Sequence, residues 1–539
     1  MPAVDGSVYE YFEQGTAHLP RSNKTVAFYG RRLDLGRVTA EIDGFARRLR
    51  ECGVGKGDNV IVCLGNIPDV VIAFYAVNKA GAVVNLVHPL VTGERLKEIA
   101  VRMRPKAAVL FDEFYPNYDG WKELGVKTFI ARAADYLPRA LAPFYRLATV
   151  SAAAASAEEE SFVSAVRRGR AADAGVFPEV RGEDIAVYMH SGGTTGLPKT
   201  VEISNGALNA LAHNLLDLIG GKPVDDKDAM LMVLPPFHIF GLGVCMHTSL
   251  SAGGKIVLMP KFDAKGACRL CRREHVTFIC GVPNMYGKML ESGAFGEDVM
   301  RNLKYCYCGG DRLSESIKDK FAALGVRAGN PIRLNEGYGL TEAGICCVNM
   351  PGRERDGSIG KAVKNTEFEA FGEDGRPVPR GEKGDLCVST DMAMTRYYDD
   401  AEATERAFFE YGGRRWLRTG DIGRLDEDGF VYFVDRKKRM VKISGYNVFP
   451  QEIENVVNKV PGVLRCCAVA ADDGGRPAVR LYVQPALGAD RDALDKAVRT
   501  EIAARLMKYS VPRFVEYVDR LPLTQIGKVD YRQLEENKE

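Results

Sequence analysis

Ser191-Gly192-Gly193-Thr194-Thr195-Gly196-Leu197-Pro198-Lys199 follows directly on the strand-like run at residues 186–189, so a β-strand leads into a glycine-rich loop. Glycines let a backbone wrap an anion, the two threonine hydroxyls and the amides donate to it, and Lys199 adds positive charge. That is the chemistry of a phosphate cradle. It is not the P-loop of nucleoside triphosphatases, which needs glycine directly before its lysine, where Pro198 stands here. A flexible Gly/Thr hairpin is the plainer alternative, and the rest of the chain decides between the two.

Upstream, short β-branched runs alternate with helical periodicity, the pattern of a layered α/β sheet. Residues 59–64 (NVIVCL) predict a strand, residues 70–80 an apolar helix, and residues 82–86 and 107–111 further strands. Residues 131–174 turn Ala-rich and charged around SAAAASAEEE, which predicts exposed helices or a surface excursion with no catalytic part. Strands resume at 186–189, 229–234 and 255–259. Beyond about residue 375 short strands and turns take over, at 384–389 and 429–434. A small β-α-β-β-α-β-like unit follows, with a helix at 450–460 and strands at 466–471 and 478–484. The expected architecture is α/β: a large N-terminal domain of layered sheets and helices, residues 1–437, and a small mobile α+β domain, residues 438–539, starting at the charged run Asp435-Arg436-Lys437-Lys438-Arg439.

The 539 residues include 73 Lys plus Arg against 71 Asp plus Glu, so neither nucleic acid nor an anionic membrane has an electrostatic claim on the chain as a whole. Residues 229–254 lack any Asp, Glu, Lys or Arg and are long enough to span a bilayer. Pro235-Pro236, two histidines and four glycines interrupt them, so they read as a buried strand-loop-helix unit with no transmembrane segment. Thirteen cysteines, some adjacent as in Cys346-Cys347 and Cys466-Cys467, and no visible signal peptide predict a reducing, cytoplasmic setting.

Further motifs recur in a fixed order. Leu234-Pro235-Pro236-Phe237-His238, Gly309-Gly310-Asp311, Glu336-Gly337-Tyr338-Gly339-Leu340-Thr341-Glu342 and Trp416-Leu417-Arg418-Thr419-Gly420-Asp421 come first. Asp435-Arg436-Lys437-Lys438, Lys442-Ile443-Ser444-Gly445-Tyr446-Asn447-Val448 and Pro522-Leu523-Thr524-Gln525-Ile526-Gly527-Lys528 complete the set. Together with the glycine-rich loop they resemble the adenylate-forming superfamily of acyl-CoA synthetases, luciferases and peptide-synthetase adenylation domains. The combination looks closest to the fatty acyl-CoA ligases.

The resemblance implies ATP-dependent attack of a carboxylate, of medium- or long-chain fatty type, on the α-phosphate, then transfer of the acyl group to CoA with release of AMP and pyrophosphate. Catalysis of that kind is mainly positioning and charge neutralisation. The loop Ser191, Gly192, Gly193, Thr194, Thr195, Gly196 with Lys199 is then expected to hold the β- and γ-phosphates, and Thr341 to donate to the α-phosphate. Glu342, with Thr195 as a second candidate, is expected to hold Mg²⁺. Gly310, Asp311, Tyr338 and Gly339 are assigned to the adenine side, and Asp421 and Arg436 to the ribose. Phe237, His238 and Gly337 are assigned to the acyl pocket, Lys438 to the hinge, and Lys442, Gly445 and Tyr446 to the thiol side. Lys528 is the expected catalytic cation of the adenylation step.

Three departures from the family pattern stand out: Gly192 where many members have Ser, Thr200 where Gly usually follows the lysine, and Arg396 at a usual Gly. Residues 235–240 are apolar around one His, with no Asp to pair a substrate amine, which favours an acid without one. Transfer to a carrier-protein phosphopantetheine in place of CoA is the nearest rival; a luciferase-like oxidation and a plain nucleotide-binding regulator stand behind it. Cys268 and Cys271 with His275 suggest zinc, but the spacing suits successive turns of one helix and no second pair follows. Gly241 and Gly243 open a dinucleotide fingerprint that fails at Met246.

Overall fold

A computed structural model describes residues 4–118, 120–138, 159–172, 175–190, 199–216, 226–444, 446–523 and 529–536. It divides into two compact units, a large one of Met1–Arg355, Gly360–Glu367 and Ser389–Leu417, and a small one of Asp356–Ile359, Phe368–Val388 and Arg418–Glu539.

Among the described residues two large sheets organise the first unit, one of nine strands and one of eight. In the eight-stranded sheet Asn59–Cys63 is buried at every position and lies between two parallel partners, Val83–Leu86 and Ala107–Phe111. Such continuous apolar runs suit strands covered on both faces. The helix Pro68–Lys79 starts on a proline, whose missing N–H costs nothing in a first turn. Strand pairing continues through Ile185–His190 and Thr200–Ser204 to Arg396–Tyr397 at the edge. In the nine-stranded sheet Ala229–Met232, Lys255–Leu258, Phe278–Gly281, Tyr305–Cys308 and Leu334–Leu340 run parallel. One face packs Leu231, Ile279 and Cys306 against the helices Ala264–Glu274 and Pro283–Glu291, where Cys268, Cys271, Tyr286 and Met289 are buried.

The prediction for residues 131–174 needs correction in its described part. The helix Phe162–Ala171 is no surface excursion: Phe162, Ala165, Val166 and Gly169 are buried against the helix Leu35–Glu51. The crossing is made by two glycines, since a Cβ on Gly169 would lie 1.8 Å from the Gly44 carbonyl oxygen. Such a contact is invisible in composition. The apolar stretch at residues 229–254 forms a strand, a π-helix Phe240–Thr248 and a short helix Ser249–Ser251. No helix among the described residues is long and apolar enough to cross a membrane. No group of His, Cys, Asp and Glu among them is arranged to hold a metal; Cys268 and Cys271 are buried on one face of the helix Ala264–Glu274, His275 is its left-handed C-cap, and all thirteen cysteines are free thiols.

In the small unit, residues 421–425 of the strand Arg414–Leu425 pair with Val431–Arg436. Beyond these come a hairpin of Val441–Ile443 and Tyr446–Val448, and a sheet of Val463–Asp472, Pro477–Pro485 and Phe514–Tyr517. The helices Pro450–Val457 and Arg491–Arg505 bury Ile453, Val457, Val498 and Ile502 in its core. The charged run is partly internal. Arg439 reaches Glu454 at 2.6 Å and lies 3.7 Å from Asp435, all three carrying side chains no more than 10% exposed. The Glu454 carboxylate also accepts from the Ala468 amide at 2.9 Å.

Candidate active site

The signature loop, Ser191, Gly192, Gly193, Thr194, Thr195 and Gly196, lies outside the described residues, but both of its stems are described. His190 ends one strand and Thr200 starts the next, directly paired across the neck of the loop. His190 Nε2 lies 2.7 Å from the Asn85 Oδ1 acceptor, so this nitrogen carries the proton. Nδ1 then accepts from the Thr200 hydroxyl at 3.1 Å. Burial, then the Arg102 and Arg95 charges, push the His190 pKa down to about 4, keeping the ring neutral as this pattern requires. Thr200, at the usual Gly position, thus latches the neck of the loop.

A histidine with a depressed folded pKa binds fewer protons folded than unfolded, so its stabilising contribution is complete above pH 6.5 and falls as pH drops toward 4. Between pH 7 and pH 5 His190 should therefore cost about 2 kcal/mol of folding stability. Urea unfolding at the two pH values checks this, and His190→Gln should remove that share of the loss.

Lys199, just past the loop, sits 4.4 Å from the centroid of the Tyr397 ring. The Tyr397 hydroxyl donates to Glu342 Oε1 at 2.9 Å. Burial, then the Glu342 carboxylate, raise the phenol's pKa far above neutrality, so it remains a donor. One tyrosine therefore gathers the cation expected on the outer phosphates and the carboxylate expected on Mg²⁺. Sequence reasoning missed Tyr397. Its position follows from strand pairing, Tyr397 opposite Val201 and Arg396 opposite Glu202. Arg396 caps the buried Glu202 carboxylate at 2.9 Å, which accounts for an arginine at the usual Gly position.

Thr341 adjoins Glu342 and is half-buried. Tyr338 and Gly339 lie on the strand Leu334–Leu340, whose register shifts between them where it pairs with Gly344–Val348. Gly309 and Gly310 follow the neighbouring strand Tyr305–Cys308; Gly310 takes φ +78°, and Asp311 beyond it is exposed. A Cβ on Gly309 would lie 3.0 Å from the Gly337 carbonyl oxygen and 3.3 Å from the Phe240 ring, so glycine lets the backbone and this ring approach closely.

From these glycines an apolar channel runs along the free face of the nine-stranded sheet. Its floor is Met230, Phe278, Cys280 and Tyr307, which alternation and register place on one face. Its roof is the π-helix, through Phe240, Val244 and Thr248 at four-residue intervals. Of the residues assigned to the acyl pocket, Gly337 lines this channel. Phe237 and His238 fall just before the π-helix: Phe237 packs on His88, ring centroids 4.3 Å apart, with the His238 ring 5.0 Å away, and Ile239 and Phe240 are the wall residues. Burial raises the Cys308 thiol well above its usual range, so that wall residue is protonated and unreactive.

In the small unit Asp421 and Arg436 face each other as cross-strand partners, Nε to Oδ1 3.1 Å, with Asp421 1% exposed. The Thr419 hydroxyl accepts from the Asp421 amide at 3.1 Å and donates to the Leu386 carbonyl at 2.7 Å, fixing the turn. Lys438 lies in the 3₁₀ turn Lys437–Arg439, and Lys442 is exposed on its hairpin. Tyr446, 52% exposed, stacks on Tyr509 with centroids 4.3 Å apart, a platform that no sequence motif announced. Gly445 and Lys528 lie outside the described residues.

The pattern of the AMP-binding enzyme family matches residues 13–398, and that of the AMP-binding enzyme C-terminal domain residues 452–528. A long-chain-fatty-acid–CoA ligase of Bacillus subtilis is 29% identical over 100% of this chain and 96% of its own. A feruloyl-CoA synthase of Amycolatopsis is 31% identical over 64% of this chain and 68% of its own. ATP-bound MatB of Rhodopseudomonas palustris shares the fold, with a TM-score of 0.84 at 24% identity over 98% of both chains. The chain belongs to the AMP-binding enzyme family. Within that family it groups with the acyl-CoA synthetases.

Proposed function

We propose that this enzyme activates a fatty acid with ATP to the acyl-adenylate and passes the acyl group to CoA, releasing pyrophosphate and AMP. The observation that carries the reading is the channel: an apolar slot with a glycine-lined mouth, next in sequence to Thr341-Glu342, suits an alkyl chain whose carboxylate stays at the mouth. Met230, Phe278, Cys280 and Val244 along its wall are uncharged, and the Asp228 carboxylate at its far end is already held by Lys304 at 2.6 Å, which disfavours an amino acid. The B. subtilis relative is named for long-chain fatty acids and CoA, which supports both the substrate class and CoA over a carrier protein.

In this reading Lys199 and the loop at residues 191–198 hold the outer phosphates, Thr341 meets the α-phosphate, and Asp421 with Arg436 binds the ribose. Glu342 suits Mg²⁺: it is a half-buried carboxylate whose Oε1 is already oriented by Tyr397. The ion would neutralise phosphate charge there. The small domain from Lys438 onward carries Lys528 to the first step and Lys442, Gly445 and Tyr446 to the second.

Incubation with ATP, Mg²⁺, CoA and a saturated fatty acid should yield AMP and a thioester. ADP formation, or AMP without thioester, would overturn the assignment. Tyr397→Phe keeps the ring under Lys199 and deletes the hydroxyl on Glu342. Losing that charge-assisted hydrogen bond should lower kcat/KM for ATP roughly tenfold. Titrating Mg²⁺ should show a raised requirement, and an unchanged one would separate Tyr397 from the metal.

A further inference from the structure

We propose that Arg439 and Tyr531 are positioning residues for Lys528: the Arg439 guanidinium, rooted on Glu454 beside the hinge turn, lies on the Tyr531 ring and fixes the base of the loop that carries the lysine. This rests on the roles given above to Lys438 and Lys528 and deepens them. The base of that loop is described on both sides. Leu523 and Val529 meet in an antiparallel bridge, and the Asp530 amide donates to the Pro522 carbonyl at 2.9 Å. Tyr531 comes next and starts the helix Tyr531–Glu536. Val529 and Tyr531 both pack on a small apolar cluster built on Cys467, Tyr482 and Leu521. Lys528 thus stands three positions from an anchored ring.

Arg439 holds that ring from the hinge side. Its guanidinium carbon lies 5.0 Å from the Tyr531 centroid, and Arg532 approaches the same ring at 5.8 Å. Nη2 of Arg439 donates to Glu454 Oε1 at 2.6 Å and to the Ala468 carbonyl at 3.0 Å, while Nη1 lies 3.7 Å from Asp435. Glu454 belongs to the helix Pro450–Val457 and Ala468 to the strand Val463–Asp472. Two core elements therefore orient the planar fork before it meets the ring. Its side chain is only 10% exposed, and a desolvated cation is drawn to an aromatic face more strongly than a hydrated one.

Place in the chain gives this contact its purpose. Glu454, Ala468 and Tyr531 all follow Lys438, whereas Asp435 precedes it. A turn at Lys438 gives up the Asp435 contact and keeps the other three, so Arg439 carries the Lys528 loop round as one piece with the hinge. Lys528 must meet charge that develops only in the transition state, where a displacement of about 1 Å costs on the order of 100-fold in rate. Thioester formation needs no such cation. A loosened loop therefore slows the first half-reaction alone.

The experiment follows each half-reaction in single turnover, using dodecanoic acid with ATP for the first and pre-made dodecanoyl-adenylate with CoA for the second. The variants are Tyr531→Leu, Tyr531→Phe, Arg439→Lys, and Arg439→Lys combined with Tyr531→Leu. Tyr531→Leu fills the site without a π face and should slow adenylate formation by about ten- to 100-fold. Its half-saturating ATP concentration and its rate of thioester formation should stay within about twofold of native. Tyr531→Phe keeps the face and should restore the native rate. Arg439→Lys leaves a charge for Glu454, but one ammonium cannot hold the carboxylate, the carbonyl and the ring together, so its rate should fall in between. The combined variant should be no slower than Tyr531→Leu, because a contact made by two residues is lost only once. Native adenylation in Tyr531→Leu or Arg439→Lys, or equal losses in the two half-reactions, overturns the positioning role alone. So does a Tyr531→Phe as slow as Tyr531→Leu, or losses that multiply in the combined variant. If the native enzyme forms no adenylate from the acid, or Lys528→Ala forms it at the native rate, the reading beneath falls and the positioning role with it.

Discussion

Lys528→Ala should slow acyl-adenylate formation by roughly 10²- to 10⁴-fold, the range for removing a positioned electrostatic or proton-transfer group. The attack of a carboxylate on the α-phosphate brings two anions together, and charge redistributes over the bridging and non-bridging oxygens only as the bond forms. A cation at that point stabilises the transition state more than the bound substrates, so its loss appears in kcat more than in KM. Thioester formation starts from an adenylate whose anions are already joined and needs no such cation. Pre-made acyl-adenylate plus CoA should therefore be converted by the variant far better than the acid plus ATP. Equal losses in the two half-reactions would make Lys528 a structural residue.

Lys438→Pro should have the complementary effect, leaving adenylation nearly intact while thioester formation collapses. The same acyl carbon must first be shielded from water and later be reached by a bulky thiol, and a few linker dihedrals can absorb such a change. Lys438 is the second residue of the one-turn 3₁₀ helix Lys437–Arg439, a first-turn position that proline tolerates. Its φ would be held near −65°, removing the freedom the second step needs. Across this turn the Asp435 carboxylate accepts from the Gln451 amide at 2.7 Å, a bond that rotation about residue 438 breaks. Single-turnover assays of each half-reaction decide the matter. A variant that forms thioester at the native rate places the hinge elsewhere.

Much of the fold is legible in the sequence because its elements are locally encoded. Residues 59–64 predict a strand, and Asn59–Cys63 is one, since a fully buried parallel strand must be apolar at every position. The expected helix at 70–80 is Pro68–Lys79, begun by its own proline. The expected strand at 478–484 is the core of Pro477–Pro485. The burial of residues 162–171 escapes a reading by composition because Gly44 and Gly169, which let two helices touch, are 125 positions apart and carry no periodic signal.

The chain by itself determined the family, because phosphate binding needs glycines, hydroxyls and a lysine at short range, and those lie within single motifs. Tertiary structure alone decided how the departures from those motifs work. Thr200 latches the neck of the loop through His190, and Arg396 caps Glu202, because antiparallel pairing sets these residues side by side. Tyr397 joins Lys199 to Glu342 across 198 and 55 positions of sequence. The channel, too, exists only once parallel register aligns Met230 with Phe278, and Cys280 with Tyr307, beneath the π-helix. Spacing along a chain encodes a turn or a loop; the length of a cavity depends on strands that meet only in the folded protein.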